Sequence, residues 1–321
     1  MKKFITDISY NKIKNKIENF HKHFLEFTPE EYSSEWIGPG NNKIFLGSLD
    51  RRTLIPAEKK EIEYYDQNGY YITDSVGDIK SINKNPNFTY KINRHGFRSK
   101  HFEPVDQNKT TILTAGCSHS FGQGLPEELR WQSFLLKNLN TKNIELFDVS
   151  SMGASYRLIV RNIIAFIRNY GKPNYIFVVF PDVARDFLYD KDLKKFWNVS
   201  AQAKFLTEEN KKKPVFEYTL SFNEYDATMK AIEAIWYLEE ICKWAGIKLF
   251  WTTWFSNCSD NFKNYNFNNF VEQDWKYFNN VAKSSNPDNV PYWRIANDGS
   301  HMGSYWTSWQ GKFFSGFVSN E

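Results

Sequence analysis

Cysteine is nearly absent. Cys117, Cys242 and Cys258 are the only three in 321 residues, an odd and sparse set that cannot form a disulfide framework and fits a reducing compartment. Cys117 adjoins an apolar run and Cys242 falls on an apolar helical stripe, so both read as packed thiols. Long apolar runs are missing too. Met1-Lys-Lys-Phe-Ile-Thr-Asp7 has the positive start of a signal peptide without the apolar stretch that follows one, and nothing approaches a membrane span. The expectation is a cytoplasmic protein with no membrane partner, a description that a virion-associated protein also fits.

Neither sign of charge dominates: 41 Lys and Arg against 37 Asp and Glu give +4 and a pI near 8.7. Lys and Glu are interspersed, and the only dense basic run is Lys211-Lys-Lys213, so a nucleic-acid partner is not expected. No cluster has metal-ligand spacing. His21 and His23 stand two apart on a helical pattern and point to different sides, so neither a metal nor a cofactor is expected. Tandem repeats and long low-complexity tracts are also lacking.

What the chain does have is enough apolar material, 41%, for one large α/β domain plus a smaller appendage. Ile13, Ile17, Phe20 and Phe24 predict an amphipathic helix over residues 8 to 26. Pro39-Gly40-Asn-Asn marks a loop, and Glu61 to Thr73 predict a β-hairpin turning at Asn68-Gly69. Residues 1–90 carry no visible chemistry and read as an appendage or cover; residues 91–321 read as the main domain, with insertions at about 190–222 and 255–292.

The main domain is organised around Thr111-Ile-Leu-Thr-Ala-Gly-Cys-Ser-His-Ser-Phe-Gly-Gln-Gly124. Thr111 to Ala115 have the character of a strand covered on both faces, and Gly116 allows a sharp turn where a side chain would collide. Trp131, Phe134, Leu135 and Leu139 then recur at helical spacing. Strand, tight turn, exposed Ser118 and helix make a place for a nucleophile. Near the other end, Asp298 and His301 are three apart, so the carboxylate can orient the imidazole and leave its far nitrogen facing a serine hydroxyl.

Gly116-Cys-Ser118 with Phe121-Gly-Gln-Gly124, and Asp298-Gly-Ser-His301, resemble the first and last sequence blocks of the SGNH (GDSL-type) hydrolases. Asn93-Arg-His-Gly96-Phe97-Arg98 resembles a segment that precedes the nucleophile block in bacterial and phage members. The resemblance spans roughly residues 90 to 315. It implies a three-layer α/β/α sandwich around a mostly parallel, flavodoxin-like five-stranded sheet. It also implies an acyl-enzyme mechanism with Ser118 as nucleophile, His301 as base and Asp298 as its partner.

Further strands are expected at Asn143 to Ser150, Asn174 to Phe180, Ile247 to Trp254 and Val290 to Ile295. Helices are expected at Leu158 to Ile167, at Asn223 to Gly246 and after His301. The turn Ser151-Met-Gly153-Ala-Ser155 meets a helix N-terminus, where Gly153 lets an oxyanion approach backbone N–H groups; a helix entry that needs a small residue is the plainer alternative. In the resembled family the N–H groups of that Gly and of the serine bind the oxyanion. The usual third donor, an Asn after the third strand, is missing, since Asn174 is at the opposite end. Arg185 stands nearest, free to donate to an oxyanion, to bind substrate, or to pair with Asp182 or Asp186; Arg98 is expected to pair with a carboxylate beneath the site.

The function expected is hydrolysis of a short acyl ester, with a small-molecule or carbohydrate ester as substrate. Trp197, Tyr265, Phe267, Trp275 and Tyr277, mixed with many Asn residues, suit sugar faces and hydroxyls, or else anchor long loops. An acyltransferase of the same fold, or a non-catalytic binding or structural protein, remain the alternatives.

Overall fold

The computed structural model describes residues 63–65, 69–73, 89–93, 95–140, 143–190, 195–200, 221–254, 256–260, 262, 265–274, 293, 296 and 301–318. The helix expected over residues 8 to 26 and the loop at Pro39-Gly40 lie outside these. Strands β1 (Glu63–Tyr65), β2 (Gly69–Thr73) and β3 (Thr89–Ile92) form an antiparallel sheet in that order. Tyr65 pairs with Gly69, the first residue of β2; Asn68 of the expected Asn68-Gly69 turn lies outside the described residues. Strand β3 runs across residue 90, the expected domain boundary.

The second sheet begins with β4 (Thr110–Gly116), followed by a single-turn helix α1 (Ser118–Phe121), a 3-10 turn at Glu127–Leu129 and helix α2 (Trp131–Leu139). Then come β5 (Ile144–Asp148), α3 (Tyr156–Tyr170), β6 (Tyr175–Phe180), and the antiparallel pair β7 (Arg185–Asp190) and β8 (Lys195–Ser200). The chain closes with α4 (Glu224–Ala245), β9 (Lys248–Thr253), α5 (Ser256–Asp260) and α6 (Ser304–Ser315).

The sheet order is β5-β4-β6-β9, all neighbours parallel. The earliest strand sits between the next two, the flavodoxin-like arrangement, and its switch point lies between the carboxyl ends of β4 and β6, where open α/β sheets take their ligands. Four strands are present among the described residues, not five. Val290 to Ile295, where a fifth was expected, lies outside them except for Trp293. Beyond β9 a single parallel bridge joins Trp251 to Phe270, with Trp251 N–H donating to Asn269 O at 3.0 Å and Val271 N–H to Trp251 O at 2.9 Å.

Period-two alternation sends the side chains of β6 to opposite faces. Phe177 meets Phe314 of α6 at 4.7 Å, and Trp131 of α2 meets the same ring at 5.2 Å. On the other face Phe180 stacks on Tyr156 of α3 at 4.6 Å, and Phe147 of β5 meets Phe166 at 5.1 Å. Helices thus flank the sheet on both sides, and each fully buried Phe here is worth about 2 to 3 kcal/mol of apolar transfer. Gly311 brings α6 against α2: a Cβ there would lie 2.6 Å from Phe134 Cβ and from the Trp131 carbonyl. Helix α4 follows the expected stripe, burying Ala227, Ala231, Ile235 and Leu238; Asn223 Oδ1 caps it at the Tyr225 N–H, and Gly246 ends it at φ 70°.

The expected insertion at 190–222 opens with regular structure, since β7 starts at Arg185 and pairs with β8; residues 201–220 lie outside the described set. Among the described residues no helix is long and apolar enough to cross a membrane. The three cysteines are free and buried. Burial, with Glu239 adding to it, pushes the Cys242 thiol up to about 12, and burial does the same for Cys258.

Candidate active site

Strand β4 is hydrogen-bonded on both sides and delivers Ser118 to its carboxyl end as the first residue of α1. Gly116 is required for packing: a Cβ there would lie 2.1 Å from Ser120 Oγ and 2.8 Å from the Val179 carbonyl. The turn closes locally, with the Ser118 carbonyl accepting from Gly122 N–H and Gln123 N–H, both at 3.1 Å. Gly122 ends it at φ 75°, a left-handed conformation that favours glycine. The sequence suggests an exposed Ser118, but the side chain is buried in the turn, and only 3% of the residue meets solvent. Arg98 pairs with a carboxylate as expected, Nε donating to Glu127 Oε2 at 3.0 Å.

The loop after β5 lies beside this turn. Val149 N–H donates to Thr114 O at 2.9 Å and Ser151 N–H to Gly116 O at 3.0 Å, extending the β5 pairing past the strand. Gly153 follows at φ 70°, and Ser155 Oγ caps α3 at the Leu158 N–H. A left-handed residue is needed at 153 whatever the chemistry, so the backbone alone accounts for a glycine there.

The expected base, His301, and Arg185 both neighbour a residue that the sequence patterns did not single out. His119, one position beyond Ser118, has its ring 4.9 Å from that of His301, 4.5 Å edge-on from Trp254 at the end of β9, and 5.6 Å from Trp306 of α6. The Arg185 guanidinium lies 4.7 Å above the other contact of this group, the Trp254 ring. Burial first, then the neighbouring His301 and Arg185, hold His119 well below the usual imidazole range. It is therefore neutral at pH 7.

Arg185 makes neither ion pair that its sequence neighbours offer. Asp186 is held by Arg157 at 2.7 Å, with Lys230 at 4.0 Å, and Asp182 Oδ1 accepts from Ala184 N–H. Among the described residues Arg185 Nη1 is buried without a hydrogen-bond partner.

His301 is placed by its surroundings. Ala296 N–H donates to His301 O at 3.0 Å, and Tyr305 N–H to Trp293 O at 3.1 Å. Helix α6, beginning three residues later, is tied to the nucleophile side where Thr307 Oγ1 donates to Leu129 O at 2.6 Å. Asp298 falls within 297–300, outside the described residues. Ser118 thus follows the carboxyl end of β4, Gly153 lies in the loop after β5, Arg185 opens β7 after the loop that leaves β6, and Trp254 follows β9; the His301 ring meets His119 beside Ser118. Among the described residues no group of three His, Cys, Asp or Glu side chains is arranged to hold a metal ion. Histidine immediately after the serine, and tryptophan ending the fourth strand, were the available signals for the residues missed.

No protein-family model matches the chain, and no curated protein does. Solved structures do. A psychrotrophic esterase, EstA from Pseudoalteromonas sp., inhibited there by monoethylphosphonate, shares 13% identity over 66% of this chain and 98% of its own, with a TM-score of 0.40. A G-D-S-L-family lipolytic protein from Desulfitobacterium hafniense, described as putative, shares 12% over 64% and 98%, at 0.36. TesA shares 11% over 64% and 97%, at 0.38. In structure the chain is similar to these proteins, one of them of the G-D-S-L family, at low identity, and its own parallel four-stranded sheet is flanked by helices.

Proposed function

We propose that the chain is a serine ester hydrolase acting on short acyl esters through an acyl-enzyme. The observation that carries this reading is the placement of Ser118 at the first turn after the central strand, with the His301 ring against His119, its next residue. In the mechanism, Ser118 Oγ attacks the ester carbonyl while His301 takes its proton. Charge on the carbonyl oxygen is met by the N–H groups of Ser118 and Gly153 and by Arg185, whose Nη1 has a hydrogen bond to give. His301 then protonates the departing alcohol, and water, deprotonated by the same imidazole, releases the acid. Asp298 is assigned the orientation of His301.

A short acyl group is supported by close walls: Ser118 is 3% exposed, Trp254 6% and Trp306 0%. For the alcohol we propose a polar compound, with an O-acetylated carbohydrate as the leading case. Of the aromatics that suggested a sugar, Tyr265 packs on Phe267 at 6.2 Å, and Phe267 packs edge-on to Trp251 at 5.2 Å, so these two anchor a loop. Trp275 and Tyr277 lie outside the described residues, as does the side chain of Trp197. The test is a chain-length series of aryl esters together with acetylated oligosaccharides. Acetyl and propionyl esters should be hydrolysed much faster than octanoyl, with acetate released from the oligosaccharides; a preference for long chains would overturn the substrate assignment.

A further inference from the structure

Two arginines with almost no solvent exposure sit directly beneath α1, at 1% for Arg98 and 2% for Arg130. Both spend their donors on the carbonyls of the turn that carries Ser118. Arg98 Nη1 donates to Gly122 O at 2.8 Å and to Phe121 O at 3.4 Å; Arg130 Nη2 donates to Ser120 O at 3.4 Å, and Gln132 Nε2 to the same oxygen at 2.7 Å. A one-turn helix cannot hold itself in place, and its carboxyl end needs donors. These side chains supply them.

The same arginines reach the other half of the site. Arg130 Nη2 pairs with the buried Asp148 Oδ2 at the end of β5. Asp148 Oδ1 accepts from Thr114 Oγ1 at 2.9 Å, from Ser150 N–H at 3.0 Å and from Ser150 Oγ at 2.6 Å. Ser150 begins the loop that carries Gly153. Arg130 Nη1 donates to Arg98 O at 3.0 Å and to Glu127 Oε1 at 2.9 Å, and Glu127 Oε2 holds Arg98. Two like charges this close are costly. Burial and Arg130 pull the Arg98 guanidinium down to about 10, and burial works against the charge on Arg130 until Glu127 and Asp148 together outweigh it. A well-packed apolar cluster would cost less than such a network and would stabilise the fold as well.

We propose that Arg130 is a positioning residue that sets the Ser118 turn against the Gly153 loop, so that their two N–H groups face one oxygen. The inference rests on the serine-hydrolase reading above. It explains why one guanidinium bonds at once to the Ser120 carbonyl, after the nucleophile, and to the carboxylate bonded to Ser150, ahead of Gly153. A misplacement of about 1 Å between two such donors can cost on the order of a hundredfold in rate.

The test separates placement from stability. Arg130→Met should lower kcat on an aryl acetate by roughly a hundredfold with KM within about threefold, and it should also destabilise the protein by leaving Asp148 unpaired. The paired variant Arg130→Met/Asp148→Asn removes both charges and should regain most of the melting temperature while kcat stays low. Recovery of kcat together with stability would show a structural pair and overturn the proposal. Gln132→Met removes one uncharged bond to the same Ser120 carbonyl, should fold even where the arginine variants do not, and should lose roughly three- to tenfold in kcat. Unchanged kcat in Gln132→Met would also overturn it. Failure of an organophosphonate to label Ser118 in the unaltered protein would defeat the hydrolase reading itself, a result distinct from both.

Discussion

The His119 and His301 rings lie 4.9 Å apart, tilted by 59°. One belongs to the residue after the serine and the other to the expected base, so the contact joins the two ends of a constellation separated by most of the domain. His119 also meets Trp254, which in turn carries Arg185. A protonated His119 here would lie without solvent near the Arg185 guanidinium and beside a second imidazole, and burial first, then His301 and Arg185, depress its pKa.

That depression makes stability depend on pH in one direction. The folded pKa lies below the unfolded value, so the unfolded chain binds more protons once the pH falls under about 6.5, and stability present above that value is lost as the pH drops. The loss should therefore grow steadily as the pH falls from 7 to 5. Denaturant unfolding of the unaltered protein and of His119→Phe should show it: the variant, which keeps a ring against Trp254, should lose less stability on acidification. Equal losses would mean that His119 titrates normally.

Arg185→Ala should lower kcat by roughly a hundredfold with a smaller change in KM, because its free donor would be engaged mainly in the transition state. Arg185→Lys should restore little, since an ammonium lacks the planar fork that lies on Trp254 while donating at its edge. A change confined to KM would assign Arg185 to ground-state binding of substrate instead.

Gly116→Ala should destabilise the protein by about 1 to 3 kcal/mol and abolish most activity, as overpacking in a buried turn does. Adding Ser120→Ala should relieve only part of this, because the Val179 carbonyl at 2.8 Å is backbone and cannot rotate away. Full relief in the double variant, measured by thermal unfolding, would show that the serine side chain was the whole obstacle.

The parallel strands were legible in the sequence because a strand covered on both faces reads as a continuous apolar run, as in Tyr175–Phe180. Helix α4 was legible through its stripe and through the glycine at its end. The β7–β8 pair was not, since its strands mix charged and aromatic residues without alternation. Within the candidate site, Ser118, Gly153, Arg185 and His301 were legible from local chemistry and, Arg185 apart, from the resemblance of their segments to sequence blocks of one family. Local pattern cannot show that His119 would join two of them, or that Arg130 and Asp148, 18 residues apart, would meet beneath the nucleophile turn. Such partnerships depend on which strands become neighbours, and that is settled only by the packed sheet.

The central claim is that Ser118 attacks the ester. Incubation with an organophosphonate followed by peptide mass spectrometry tests it directly: one adduct on Ser118 is predicted, lost in Ser118→Ala together with aryl acetate hydrolysis, and formed at a greatly reduced rate in His301→Ala. Full hydrolytic activity in Ser118→Ala, or an adduct on another residue with Ser118 unmodified, would contradict it.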